Sequence, residues 1–303
     1  MNRDEFTNQE AMISVGDGYE LWAMDWGLKD AKTPIIYLHG GPGSCSKDWK
    51  KQLFNPAVHR VIFFDQRGCG KSTPYGSREN NNTQKLAEDV TKVAKYFGIE
   101  KFILHGYSWG SCLGLYYAIN SPEMLEALVI GGVFSGSRNE IFGMYDMAKV
   151  FYPDLWDRVV ADTPAENRGN PIEYHLDKSL NGTTDEQKKS TYVMDYLESG
   201  VAKLDDRDAP GLYDEYEPAN MQIELSYLVT NCFMPEDYIL ENVSKISVPT
   251  YIVQGRYDLV CTPDFAYKIS KLIPECKLYL TISNHFSEHE NTNMFRSIFD
   301  SLV

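Results

Sequence analysis

Short, continuously apolar runs punctuate the first half of the chain. Pro34-Ile-Ile-Tyr-Leu38, Arg60-Val-Ile-Phe-Phe64, Lys101-Phe-Ile-Leu-His105 and Ala127-Leu-Val-Ile130 have the length and uniform hydrophobicity of strands buried on both faces. Between them, Leu86, Val90, Val93, Ala94 and Phe97 recur at helical spacing, and Gly98 supplies a stop. This alternation predicts a mostly parallel sheet covered by helices. The pattern lapses from about Ser135 to Leu240, where the chain reads as helical, rich in tyrosine and acid, and broken by loops such as 205–217. It resumes with Pro249-Thr-Tyr-Ile-Val253 and Cys276-Lys-Leu-Tyr-Leu280. The predicted organisation is an α/β core of residues 1–134 and 242–303, interrupted by a mainly helical, acidic cap of residues 135–241.

Composition supports that picture. Apolar residues make up 43% of the 303, enough for a sizeable core, and no run of apolar residues is long enough to span a membrane. The first ten residues lack the apolar stretch of a signal peptide. Cys45, Cys69, Cys112, Cys232, Cys261 and Cys276 are scattered without metal-binding spacing, so reduced thiols and a cytoplasmic location are expected. Charge adds more. The net charge is −14, which argues against nucleic acid as a partner. Residues 139–241 hold 22 acids against 8 bases, and the rest of the chain is balanced, so the whole surplus sits in the expected cap. Such a surplus either keeps a helical surface solvated or draws cationic ligands toward a cleft.

The chemistry begins at Gly106-Tyr107-Ser108-Trp109-Gly110, which follows a predicted strand and precedes a helix-like run. In that context Gly-x-Ser-x-Gly is a nucleophile elbow: a strained turn that lifts Ser108 above the sheet edge. The predicted strand 34–38 runs into His39-Gly-Gly-Pro-Gly43. Its glycines let backbone amides face a cavity, and the Gly41 and Trp109 amides are the expected donors to an oxyanion. A serine hydroxyl needs a base, and in this arrangement the order is Ser, acid, His. Asp258 follows the strand ending at Val253, and His285 follows the strand ending at Leu280; His289 is the rival base.

Three other motifs fall short. His285-Phe-Ser-Glu-His289 has zinc-site spacing but no third ligand downstream, so no metal is expected. Gly68-Cys-Gly-Lys-Ser72 ends like a phosphate loop, but Asp65 stands where the first glycine belongs. Asp205-Asp206-Arg207-Asp208 lacks calcium-loop spacing and reads as a solvated turn. No cofactor is required.

Taken together, His39-Gly-Gly-Pro-Gly43, Asp65-Gln-Arg-Gly-Cys-Gly-Lys-Ser72, Gly106-Tyr-Ser-Trp-Gly-Ser111 and Gly255-Arg-Tyr-Asp258 with Cys261 resemble the proline iminopeptidases, serine peptidases of the α/β-hydrolase fold. The likeness covers most of the chain. It implies a mostly parallel eight-stranded sheet and release of an N-terminal residue, usually proline, from short peptides with a free N-terminus. It also implies that Glu198 and Glu224 grip the substrate ammonium, while Phe134 and Tyr145 furnish an apolar wall for the pyrrolidine ring. The chain departs from the family at Gly131 (arginine in the family), Leu197 (tryptophan), Leu228 (an aromatic) and Phe286 (serine). An esterase or amidase of neutral acyl groups, or a silent binding protein, remains open on the same scaffold. Oligomeric state is not encoded in any motif.

Overall fold

The computed structural model describes residues 5–203, 213–286 and 288–302, with the Glu288 side chain excepted. Asp205-Asp206-Arg207-Asp208, the first part of the expected 205–217 loop and the first four residues lie outside the described residues.

The strands are β1 (Phe6–Gly16), β2 (Tyr19–Leu28), β3 (Ile35–Leu38), β4 (Arg60–Phe64), β5 (Phe102–Tyr107), β6 (Leu125–Gly131), β7 (Thr250–Gly255) and β8 (Cys276–Thr281). They form one sheet in the order β1-β2-β4-β3-β5-β6-β7-β8. β1, β2 and β4 pair antiparallel, and every later pairing is parallel. The apolar runs predict β3 to β8. The β1–β2 hairpin was not expected, because β1 is largely polar and exposed on one face. Its turn is written in Gly16-Asp17-Gly18, where all three residues have positive φ.

The side chains alternate between the two faces. Ile36, Leu38, Ile62, Phe64, Leu104, Leu128 and Ile130 pack into one apolar layer. That layer includes residues of α1 (Thr83–Tyr96), α2 (Trp109–Asn120) and α9 (Pro263–Leu272). Ile35, Tyr37, Val61, Phe63, Ile103 and Val129 face the other layer, which is closed by Phe295, Ile298 and Phe299 of α10 (Glu288–Ser301). Burial on both faces explains why β3 to β6 are mostly apolar, with exceptions such as Arg60, His105 and the exposed Glu126.

Between β6 and β7 the chain runs through α3 (Arg138–Phe151), α4 (Pro153–Asp162), α5 (Pro171–Asn181), α6 (Thr184–Val201), α7 (Ala219–Leu228) and α8 (Tyr238–Asn242). This insert rests on loops that leave the C-terminal ends of the parallel strands. Asn284 Nδ2 donates to the Ala202 carbonyl at 3.1 Å, Tyr227 Oη donates to Asn81 at 2.8 Å, and the Thr83 hydroxyl donates to the Cys232 carbonyl. A Cβ on Gly43 would fall 2.1 Å from the Asn220 carbonyl oxygen, so only glycine lets that loop meet α7. Among the described residues no helix is long and apolar enough to cross a membrane.

Where β6 leads into the insert, Glu140 is fully buried. Its Oε2 accepts from the Ser135 amide at 2.7 Å and the Ser135 hydroxyl at 2.6 Å, while Oε1 has no partner among the described residues. Burial pushes its pKa up to about 8. A carboxyl that binds its proton more tightly when folded contributes stability below its unfolded pKa of about 4.3, and that contribution is lost as pH rises toward 8. Glu140→Gln, which cannot ionise, is therefore expected to lose less thermal stability than the wild type between pH 5 and pH 9. A pH series of melting curves checks this; parallel losses in the two proteins would refute it.

Candidate active site

Ser108 sits at φ 57°, ψ −128°, a conformation that costs an L-residue energy. The surroundings impose it. A Cβ on Gly106 would fall 2.0 Å from the Gly110 carbonyl oxygen, and one on Gly110 would fall 2.4 Å from that of Leu38. Strand and helix therefore approach to backbone contact, and the turn between them has no slack. The Ser108 amide donates to the Gly131 carbonyl at 3.0 Å, which ties the elbow to β6.

Ser108 Oγ lies 3.1 Å from His285 Nε2, and His285 Nδ1 lies 2.8 Å from Asp258 Oδ2. The three side chains expected from chain order thus form one hydrogen-bonded line. Asp258 is wholly buried, and its Oδ1 accepts from the Val260 and Cys261 amides at 3.0 and 2.8 Å. Those bonds orient the carboxylate and rule out a role as cap of α9. His285 is held from behind: Tyr107 Oη donates to its carbonyl at 2.8 Å. His289 is exposed on α10. A hydroxyl, an imidazole and a buried carboxylate in this sequence can activate the hydroxyl and stabilise the imidazolium that results.

The glycine loop lies against the elbow. A Cβ on Gly40 would stand 3.4 Å from Ser108 Cβ, and Gly41 adopts φ 105°. Gly41 lines the cavity that holds Ser108. Trp109 is the first residue of α2, where amides have no acceptor within the helix. Its side chain is wholly buried, so any part it plays toward a substrate falls to that amide.

Gln66, part of the Asp65–Ser72 block but given no role by the sequence, joins these two parts. Its Nε2 donates to the His39 carbonyl at 2.9 Å, its Oε1 accepts from the Trp109 indole N–H at 2.9 Å, and its amide donates to His39 Nε2 at 2.9 Å. The last bond fixes the His39 tautomer, with Nδ1 donating to the Gly40 carbonyl at 2.9 Å. Burial lowers the His39 pKa, in keeping with a neutral ring. Gln254 was also missed. It accepts from the Val133 amide at 2.8 Å and donates to the Cys261 carbonyl at 2.8 Å, bracing the Asp258 loop.

A cavity of about 390 Å³ opens over Ser108 and His285, with Glu198 and Asp195 of α6 and Glu224 of α7 in its wall. Tyr145 Oη donates to Glu198 Oε1 at 2.8 Å, and Tyr216 Oη donates to Asp195 Oδ2 at 2.9 Å. The Glu198 and Glu224 carboxyls line the same cavity and lie close enough to influence each other. Burial pushes Glu198 up to about 7. Burial, then the neighbouring Glu198 and Asp195, pushes Glu224 well above the carboxylate range. Two carboxyls this close favour keeping a proton between them.

The structure corrects the expected apolar wall. Neither Phe134 nor Tyr145 lines this cavity. Tyr145 turns its hydroxyl to Glu198 and is a hydrogen-bond donor to the acid, not a wall for a ring. Apolar surface in the cavity comes instead from side chains such as Trp49, Tyr107, Met221, Val260 and Phe286. Gly131, where the family carries arginine, has no room for a side chain: its Cβ would fall 2.6 Å from both the Phe295 ring and the Val253 carbonyl oxygen.

The fold and the serine–imidazole–carboxylate line together define a serine hydrolase of the α/β-hydrolase fold, and the alpha/beta hydrolase fold family matches residues 33–286. The chain is 32% identical to a probable proline iminopeptidase from Leptolyngbya boryana, over 89% of this chain and 86% of that one. It is 35% identical to a proline iminopeptidase from Neisseria gonorrhoeae, over 90% and 89%. The chain belongs to the proline iminopeptidase family. A solved proline iminopeptidase from Mycobacterium smegmatis shares the fold, with a TM-score of 0.61 at 20% identity over 97% of each chain.

Proposed function

We propose that this protein is a serine aminopeptidase that releases an N-terminal residue, proline foremost, from short peptides through an acyl-enzyme. One observation carries the reading: the Ser108–His285–Asp258 line and the Glu198–Glu224 pair share a single cavity. Ser108 Oγ attacks the scissile carbonyl as His285 Nε2 takes its proton. The Gly41 and Trp109 amides receive the oxyanion. His285 then hands the proton to the departing amine, and water repeats the cycle on the ester. Asp258 keeps the imidazole in its useful tautomer. The ammonium of the substrate replaces the protons held by Glu198 and Glu224, so a free N-terminus is rewarded and a blocked one is not. Residues 135–241 act as the cap that brings these acids over the nucleophile. The six free thiols suit the cytoplasm.

Proline anilide and N-acetylproline anilide, compared across pH, test this. Both should share the limb set by the base. The free-amine substrate alone should lose further kcat/KM below about pH 7, because protonation of Glu198 and Glu224 opposes ammonium binding there. Comparable turnover of the two substrates at every pH would support a hydrolase of neutral acyl groups instead.

A further inference from the structure

We propose that Gln66 is a positioning residue of the oxyanion hole: its buried carboxamide sets the spacing between Gly41 and Trp109, whose amides receive the oxyanion. This inference rests on the serine-hydrolase part of the proposed function and not on the choice of substrate.

The two donors belong to separate pieces of chain. Gly41 lies in the loop after β3, and Trp109 opens α2. An oxyanion held between them needs both N–H groups aimed at one point. Close approach of the Leu38 carbonyl to Gly110 brings the pieces together, yet it limits only how near they come. Gln66 supplies the direction. Its Nε2 donates to the carbonyl of His39, two residues before Gly41, and its Oε1 accepts from the indole of Trp109, both at 2.9 Å. Holding a buried indole holds the residue whose amide is the donor.

Gln66 is itself fixed from both sides. Asp65 accepts from the Ser46 amide at 2.7 Å and from the Lys71 amide at 2.9 Å. Asp65 and Gln66 therefore pin the glycine loop at Ser46 and at His39. Arg67 is wholly buried and donates to Asp89 of α1 at 2.6 and 3.0 Å, to Asp17 of the β1–β2 turn at 2.9 Å and to the Asn80 carbonyl at 2.8 Å. The clamp is thus tied to the core. Its chemistry needs a carboxamide. A carboxylate has no donor for the His39 carbonyl, and an apolar chain would leave that carbonyl and the indole N–H buried without partners.

Gln66→Met and Gln66→Glu test this. Methionine keeps the length and removes both side-chain bonds. Its kcat should fall about ten- to fiftyfold, less than the loss of a donor outright, with KM within about twofold of wild type. The fall should be the same on proline anilide and on an N-acetylproline ester, because both form the oxyanion. In Gln66→Glu, burial without a cation raises the pKa of the introduced carboxyl. Protonated, it can donate to His39 and accept from Trp109; ionised, it cannot do both. Its kcat relative to wild type should therefore climb about fivefold from pH 8 to pH 5, a rise absent from Gln66→Met. A side chain that only fills space would give no such rise. A kcat for Gln66→Met within about twofold of wild type, or a Gln66→Glu ratio that stays low and flat across pH, overturns the proposal. Should the methionine variant not fold, the pH ratio decides alone. Failure of the aminopeptidase reading would look different: wild type would not turn over the anilide, while the ester would still report on the oxyanion hole.

Discussion

Ser108→Ala is expected to lower kcat on proline anilide by about a millionfold, the scale on which serine hydrolases depend on their nucleophile. The protein should remain folded, with its far-ultraviolet circular dichroism unchanged and its melting temperature within a few degrees of wild type. The reason lies in the backbone. Strain at φ 57° belongs to any residue with a Cβ, and alanine keeps the Cβ. The bond from the Ser108 amide to Gly131 and the contacts of Gly106 and Gly110 involve no serine hydroxyl. What is removed is one oxygen, 3.1 Å from His285 Nε2. His285 loses its reactive partner and keeps its bond to Asp258. A fluorophosphonate probe gives an independent reading: wild type should be labelled at Ser108 and the variant should not. Residual turnover near the wild-type rate, or labelling at another serine, would remove Ser108 from the centre of the mechanism.

What the sequence discloses about this site is what local chemistry dictates. The elbow is legible because two glycines and a serine in five residues answer one steric problem, the collision of strand and helix backbones. Asp258 and His285 are legible because each follows a strand of the parallel sheet, and strand ends share an edge. The role of Gln66 is not legible. Its value lies in partners at His39 and Trp109, 27 and 43 residues away, and nothing in its own neighbourhood announces them. Gln254 is silent for the same reason, since it braces an amide 121 residues distant.

Tyr145 shows the opposite error. An aromatic residue near the cap entrance reads as apolar wall, yet its hydroxyl is committed to Glu198, 53 residues on. The β1–β2 hairpin escaped because β1 is largely exposed and polar, and the buried β2 is interrupted by Glu20 and Asp25, so neither carries a uniform apolar run. Its turn glycines were the available clue. Six of the eight strands among the described residues follow from burial on both faces or at the sheet edge, but the side chains that brace the catalytic line follow only from tertiary contact.

Glu224→Gln is expected to separate substrates by their N-terminus while raising stability. On proline anilide kcat/KM should fall by about a hundredfold, the usual cost of removing one partner from a buried charge pair. On an N-acetylated proline ester, which brings no cation, the change should stay within about threefold, the scale of a modest packing difference. The structure supplies the reason for the asymmetry. Glu224 and Glu198 line one cavity with Asp195, and burial together with these neighbours drives the Glu224 pKa well above the carboxylate range. An ammonium would relieve that repulsion, so the pair would bind a cation more strongly than a single exposed acid could. In the empty enzyme the same repulsion is a liability. Raised in the fold, the Glu224 pKa makes folding stability fall as pH climbs above the unfolded carboxylate value, and the glutamine variant escapes that fall. At pH 8 the variant should therefore melt above wild type, and near pH 5 the difference should narrow. This opposition of function and stability is what a binding site built from like charges requires. Equal losses on free and blocked substrates would mean that Glu224 shapes the cavity without meeting the amine. A variant less stable than wild type at pH 8 would mean that the carboxylate is already compensated within the fold.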